Sequence, residues 1–229
     1  MKCKVLIVSA LICLSVLSLC AQKEDERYHL FGTENLRQFK EYVGPLVAIS
    51  NVEGNVSVDL GVTGGLIVNN KFFVGGYFQG LLTKPPRTDL AAIGYPAFND
   101  GEIKMLHGGM LLGYIHKPAE MIHWGISSSF GVGALYLYAK DTVNQNTKKL
   151  YRDRVYVITP KFFVEMNMTN WWKVNISAGY RFLGKVNSTY INQAQEELPL
   201  FYKSDFNHPE YMISLLFGNF TYHSGVLHK

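Results

Sequence analysis

Beyond residue 20 the chain has no cysteine, since its three lie at Cys3, Cys13 and Cys20. That excludes a disulfide framework, a CxxC redox pair and a thiol nucleophile from everything that follows. Charge is also scarce. Asp, Glu, Lys and Arg make up 17% of the residues, against a usual quarter or so. The 22 basic residues outnumber the 18 acidic ones, and an N-terminal leader carrying Lys2 and Lys4 would remove half of that excess. So slight a positive balance gives no electrostatic footprint for nucleic acid. After the apolar run at 5–19 no second one is long enough for a spanning helix. If the rest of the chain enters a bilayer, it must do so as a closed barrel, the one strand architecture that satisfies its backbone groups in lipid.

What is present begins with an export signal. Met1-Lys2-Cys3-Lys4 is a basic head, residues 5–19 are an apolar core, and Ala21 is a small exit residue. This is the pattern of a secretory signal peptide over 1–21, cut after Ala21. The rival reading makes Cys20 a lipid-modified residue, although Leu19 is bulkier than such processing usually accepts. Residues 22–41 form a polar leader, with a short helix around 34–42 capped by Thr33 as one option. A small periplasmic plug or foot is the alternative. What remains is one domain in length.

The rest alternates. From Trp172 to Phe182, residues Trp172, Val174, Ile176, Ala178, Tyr180 and Phe182 are apolar. Lys173, Asn175, Ser177, Gly179 and Arg181 sit between them. In a strand the two sets face opposite ways. The same period marks strands over 42–50, 56–68, 72–82, 105–115, 122–138, 155–168, 172–182 and 211–220. Asn69-Asn70 and Thr169-Asn170 are tight turns, because Asn tolerates the left-handed backbone they need. Another short turn contains Pro118. Long polar loops are expected at 84–102, 139–153 and 184–209. The fold expected is therefore all-β: an antiparallel up-and-down transmembrane barrel of about eight strands over 42–220, with short periplasmic turns, longer extracellular loops and a tail at 221–229. Pro160, inside the sixth strand, predicts a bulge or a locally broken ladder.

Facing follows from alternation. Asp59, Lys161, Glu165, Asn167, Lys173, Asn175 and Arg181 point inward as a polar network, with Glu165 diagonal to Lys173. They either fill the lumen as ion pairs or line a narrow gate for small solutes. Phe72, Trp124, Trp171 and Trp172 at the turn end, and Tyr136 and Tyr156 at the loop end, are the aromatic girdle. Ser127, Ser129, His107 and His123 lie in or near the same wall, but no elbow motif surrounds the serines and no acidic orienting residue is evident, so they read as space-fillers rather than as a catalytic site. His116, His123, His208, His223 and His228 lack zinc spacing, and no metal or cofactor is expected. The Asn-x-Ser/Thr triplets at Asn55, Asn167, Asn175, Asn187 and Asn219 are read as chance matches. Leu198, Leu200, Phe201 and Tyr202 in the last long loop either pack on the rim or meet another molecule.

The chain also resembles a group of small, largely uncharacterised Bacteroidetes outer-membrane β-barrel proteins. The likeness is carried by Ala21-Gln22, Gly44-Pro45, Val62-Thr63-Gly64-Gly65, Asn69-Asn70-Lys71-Phe72, Phe73-Val74-Gly75-Gly76-Tyr77 and Val157-Ile158-Thr159-Pro160. It implies an outer-membrane location and no agreed activity. The function expected is a non-enzymatic barrel with a structural or surface-interaction role and a filled lumen. Its partners are outer-membrane lipids and an extracellular partner met through loops 84–102, 139–153 and 184–209. The alternatives are a narrow solute channel and a soluble lipocalin-like carrier.

Overall fold

The computed structural model describes residues 39–87, 90, 98–141, 146–186, 189–191 and 197–221. The signal peptide, the leader up to residue 38 and the tail from 222 onward lie outside the described residues, as do Asn187, His223 and His228.

Eight strands form one ring. They are β1 (Phe39–Val52), β2 (Asn55–Val68), β3 (Phe72–Leu81), β4 (Phe98–His116), β5 (Ile122–Asp141), β6 (Thr147–Asn167), β7 (Trp172–Tyr180, resumed by Phe182–Gly184) and β8 (Pro209–Gly218). Each pairs antiparallel with its neighbours in sequence, and β8 returns to β1 through Tyr42↔Gly218 and Ile49↔Tyr211. The chain is thus an eight-stranded up-and-down barrel in which each strand pairs with a neighbour on both sides. The hairpin turns follow their residues. Asn69 and Asn70 take φ of 53° and 60°, and the β1–β2 turn is built by Glu53 and Gly54 at 49° and 78°. These are the left-handed values that two-residue hairpins require.

Several boundaries differ from the sequence reading. Phe39 to Tyr42 are strand, so the helix option at 34–42 fails over those residues. The eighth strand is Pro209–Gly218 rather than 211–220. The largest difference is at 139–153, where β5 continues to Asp141 and β6 begins at Thr147. Most of that expected loop is therefore a hairpin, and only 142–146 connect it. β4 likewise starts at Phe98, inside the expected loop 84–102. The Pro160 expectation resolves as an interrupted ladder. Pro160 pairs with Ser128 on one side. Toward β7 the pairing stops at Lys161↔Gly179 and resumes, without slipping, at Ile158↔Phe182. Proline has no N–H to offer that neighbour.

The reason for the long overhang lies in which side is apolar. On β5 the outward residues Ile122, Trp124, Ile126, Phe130 and Val132 are all exposed, while His123 and Ser129 point inward and are buried. Past Gly133 this reverses. Leu135, Leu137 and Ala139 are buried inside, and Tyr136, Tyr138 and Lys140 lie outside. β6 does the same: Val155 and Val157 are buried, whereas Ile158, Phe162, Val164 and Met166 are exposed on the outer wall. The ring thus has a lower part with an oily exterior and an upper extension with an oily interior. From Ile122 to Val132 the outer apolar rows span ten residue steps. At ~3.3 Å per step and a tilt near 40° they cover about 25 Å in height.

Candidate functional site in the barrel lumen

Alternation aims the polar residues of every strand at the axis, and the register decides which ones meet. Arg181 lies at the break in β7, next to Tyr180, which is level with Pro160, and is fully buried. Its guanidinium has five N–H donors, and each finds an acceptor. Nε donates to the Phe206 carbonyl at 3.2 Å. Nη1 donates to Asp59 at 3.1 Å and to Glu210 at 3.5 Å. Nη2 donates to Ser50 Oγ at 2.9 Å and to the Asn51 carbonyl at 3.3 Å. Gln79 Nε2 completes the layer by donating to Glu210 at 3.4 Å. One side chain from β7 therefore ties together β1, β2, β8 and the segment before β8. Such a buried charge is tolerable only because it is paired and fully hydrogen-bonded.

A second cluster lies toward the turn end. Glu165 receives Asn175 Nδ2 at 2.9 Å and Lys173 Nζ at 3.5 Å, and His123 Nε2 lies 3.0 Å away. His123 Nδ1 lies 3.1 Å from the Glu120 carbonyl, which links this cluster to the β4–β5 turn. Lys173 also sits over the Phe220 ring, 4.5 Å from its centre. Between the two clusters Lys161 lines a cavity of about 50 Å³ together with Tyr77, Thr63, Ser127 and Ser214. That is room for a few water molecules.

Of the residues that alternation aims inward, Asp59, Glu165, Lys173 and Arg181 are buried in these clusters, and Lys161 and Asn175 line the cavity. Asn167 is different. Its Nδ2 donates to the carbonyls of Pro118 and Glu120 at 3.1 and 2.7 Å, so it fastens the neighbouring turn rather than joining the charge network. The sequence reading missed Glu210, because it began that strand at Tyr211, two residues too late, and it gave no role to Ser50. His107 lies 3.2 Å from the Tyr77 hydroxyl. Ser129 Oγ faces the Thr159 carbonyl at 3.5 Å, so the hydrogen bonds of these serine and histidine residues lead to other groups. His116 stacks on Trp124, with ring centres 4.7 Å apart.

Among the described residues an apolar cluster sits at each end of the lumen. At the loop end Leu200, Phe201 and Phe206 bury themselves on Val52, Ile103, Met105, Leu135, Leu137, Val155, Val157 and Leu183, with Leu90 in the same cluster. The three come from the segment before β8, which is held down by a hydrogen bond from the Glu53 amide to the Asp205 carbonyl at 2.9 Å. The upper lumen is thus filled by apolar packing, where small and ion-paired side chains had been expected throughout. Of the four apolar residues singled out in that loop, Leu200 and Phe201 pack inward and Tyr202 stays exposed. At the other end Phe220 leaves the strand and packs with Tyr42, Ile67, Phe73, Ile115, Phe163 and Leu216. Its amide bonds to the Asn170 carbonyl at 2.8 Å.

On the outer wall Phe72, Trp124 and Trp171 are exposed and Trp172 half-buried, all at the turn end. Tyr156 is exposed at the upper margin. Tyr136 is half-buried beneath basic side chains, with Arg152 and Lys149 lying 5.7 and 5.9 Å from its ring centre. It therefore stands above the apolar rows and is not a bare girdle residue.

No protein-family model matches the chain, and no curated protein matches it in sequence. Among solved structures, the chain is similar to Neisserial surface protein A, at 8% identity and a TM-score of 0.46, over 80% of this chain and 97% of that one. It is also similar to Ail, the attachment invasion locus protein of Yersinia pestis, solved in complex with the heparin analogue sucrose octasulfate. There the identity is 9% and the TM-score 0.41, over 80% and 98% of the two chains. A third similar structure is CarO2 of Acinetobacter baumannii, at 11% identity and a TM-score of 0.30, over 78% and 99%.

Proposed function

We propose that this chain is a bacterial outer-membrane barrel with a structural or surface-interaction role, exported by its N-terminal signal and closed to solute flow. The observation that carries this reading is the reversal of polarity along β5 and β6. The lower exterior is a continuous apolar band about 25 Å tall, the height such barrels present to lipid, and its interior is polar and charged. A soluble lipocalin-like carrier would need the opposite arrangement at that level, with apolar residues lining a cavity.

The same geometry argues against the narrow channel. A solute would have to displace Phe220, pass the Glu165 and Arg181 layers, and then part the apolar seal of Leu200, Phe201 and Phe206. The test is planar-bilayer recording of the refolded mature chain and of Lys173→Ala. Both are expected to show only lipid leakage, and stepwise currents in either would restore the channel reading. Recovery of the native protein in the aqueous fraction of broken cells would favour the carrier instead.

A further inference from the structure

We propose that the outer face of β4, β5 and β6, just above the apolar band, binds the phosphate groups of a lipid in the surrounding leaflet. The proposal rests on the outer-membrane reading and adds a ligand class to it.

Register places the basic residues in rows. Val132 and Tyr156 are direct partners and form the last exposed apolar row shared by β5 and β6, while on β4 the last exposed apolar residue is Leu106. The next outward row is Leu106–Ala134–Arg154, and the one above it is Lys104–Tyr136–Arg152. Arg152 and Arg154 are exposed. Lys104 Nζ lies 4.7 Å from the centre of the Tyr138 ring, and Arg152 lies over Tyr136. Rows two residues apart rise about 5 Å along the barrel axis at the usual tilt. Measured along their own strands, Arg154 and Arg152 thus stand about 5 and 10 Å above Tyr156, and Lys104 about 5 Å above Leu106. A headgroup layer is roughly 5–7 Å deep on each side of the hydrocarbon, so these three cations bracket the level at which phosphates lie.

The chemistry is one-sided. At the loop ends of β1, β2 and β8 the outward residues are Ile49, Val56 and Tyr211, all exposed. The basic rows therefore form a patch, not a collar. Guanidinium groups suit phosphate because their donors form a planar fork. Tyrosine rings hold the cations in place by cation–π contact. A lipid held here also keeps its acyl chains on the exposed Val132, Ile158 and Phe130 below, which a free ion would not.

The test uses the refolded mature chain in nanodiscs of phosphatidylcholine. Retention of doped lipid is read by native mass spectrometry, with bisphosphorylated lipid A and the same lipid stripped of phosphate as the two probes. The phosphorylated form is expected to be retained at least tenfold better. The triple variant Lys104→Gln, Arg152→Gln, Arg154→Gln should lose that preference, while Lys71→Gln with Lys117→Gln, at the turn end, keeps it. Heat-modifiable mobility on gels confirms folding, and Arg154→Gln alone, expected to weaken the preference, replaces the triple variant if that one fails to fold. Equal retention of both lipids overturns the proposal, as does equal loss in the turn-end control. Competition by millimolar inorganic phosphate would make this an ion site rather than a lipid site. Tighter binding of a sulfated oligosaccharide than of either lipid would make it a polysaccharide surface. A chain that does not enter the nanodisc sinks the outer-membrane reading itself, whereas an inserted chain indifferent to phosphate sinks only this proposal.

Discussion

Tyr77 on β3 reaches across β4 to lay its hydroxyl over Gly131 on β5. The register that aligns them is Tyr77↔Gly109 and Gly109↔Gly131. A Cβ at Gly131 would collide with the Tyr77 hydroxyl and come within 2.9 Å of the Gly108 carbonyl. Glycine here makes room for a ring that fills the lumen and meets His107. Gly131→Ala should destabilise the barrel by about 1–3 kcal/mol, the usual range for overpacking. Because the two residues share one space, Tyr77→Ala combined with Gly131→Ala should cost less than the two single changes summed. Urea unfolding in micelles reads both quantities.

Removing Arg181 strands two carboxylates. Arg181→Met leaves Asp59 and Glu210 in a buried layer without their cation, for which about 3–5 kcal/mol is the usual cost. Neutralising the acids as well, with Asp59→Asn and Glu210→Gln, should recover most of that loss. The same unfolding assay on the single and triple variants measures it. A triple variant no more stable than Arg181→Met would show that shape, rather than charge, fixes this layer.

Phe206 joins the two levels, since its ring packs in the upper apolar cluster while its carbonyl accepts from Arg181 Nε. Phe206→Ala should cost about 3–5 kcal/mol through the cavity it leaves. It should also raise protease sensitivity within 197–208 before the rest of the barrel. Limited proteolysis with mass mapping gives the order of cleavage.

All three tryptophans, Trp124, Trp171 and Trp172, gather at the turn end. Quenching by lipids brominated at different depths should therefore be strongest for bromines close to the headgroups and weak for those at the acyl ends. Uniform quenching would contradict the placement of the apolar band.

Orientation can be read with single cysteines, since the sequence offers none after Cys20. Lys148→Cys should react with a membrane-impermeant maleimide on intact cells, and Asn70→Cys only after the cells are broken.

The lower barrel was legible because its alternation keeps one phase. Trp172 to Phe182 and Val56 to Val68 needed only a period of two, and Asn69-Asn70 carried its own turn chemistry. The upper extension was not legible for a physical reason. The apolar set on β5 changes from even to odd positions between Val132 and Leu135, so a fixed two-residue template breaks off and leaves 139–153 looking like polar loop. The charge layers were half legible. Alternation aimed Arg181 and Asp59 inward, but they stand 122 positions apart, and only the closed register brings them level. Asn167 shows the converse, since alternation gives a residue's phase but not its partners, and its amide bonds to a turn.

The switch of oily side on β5 and β6 also bears on how such a chain could be threaded into place. A hairpin tip entering from the turn side has to carry Lys148, Lys149 and Arg152 through hydrocarbon, where each charge is costly. The row of Leu135, Leu137, Val155 and Val157 gives that tip a greasy flank during the crossing. In the folded chain Phe201 and Phe206, from the final connection, cover that same flank, so one row would serve first as a sled and then as a floor.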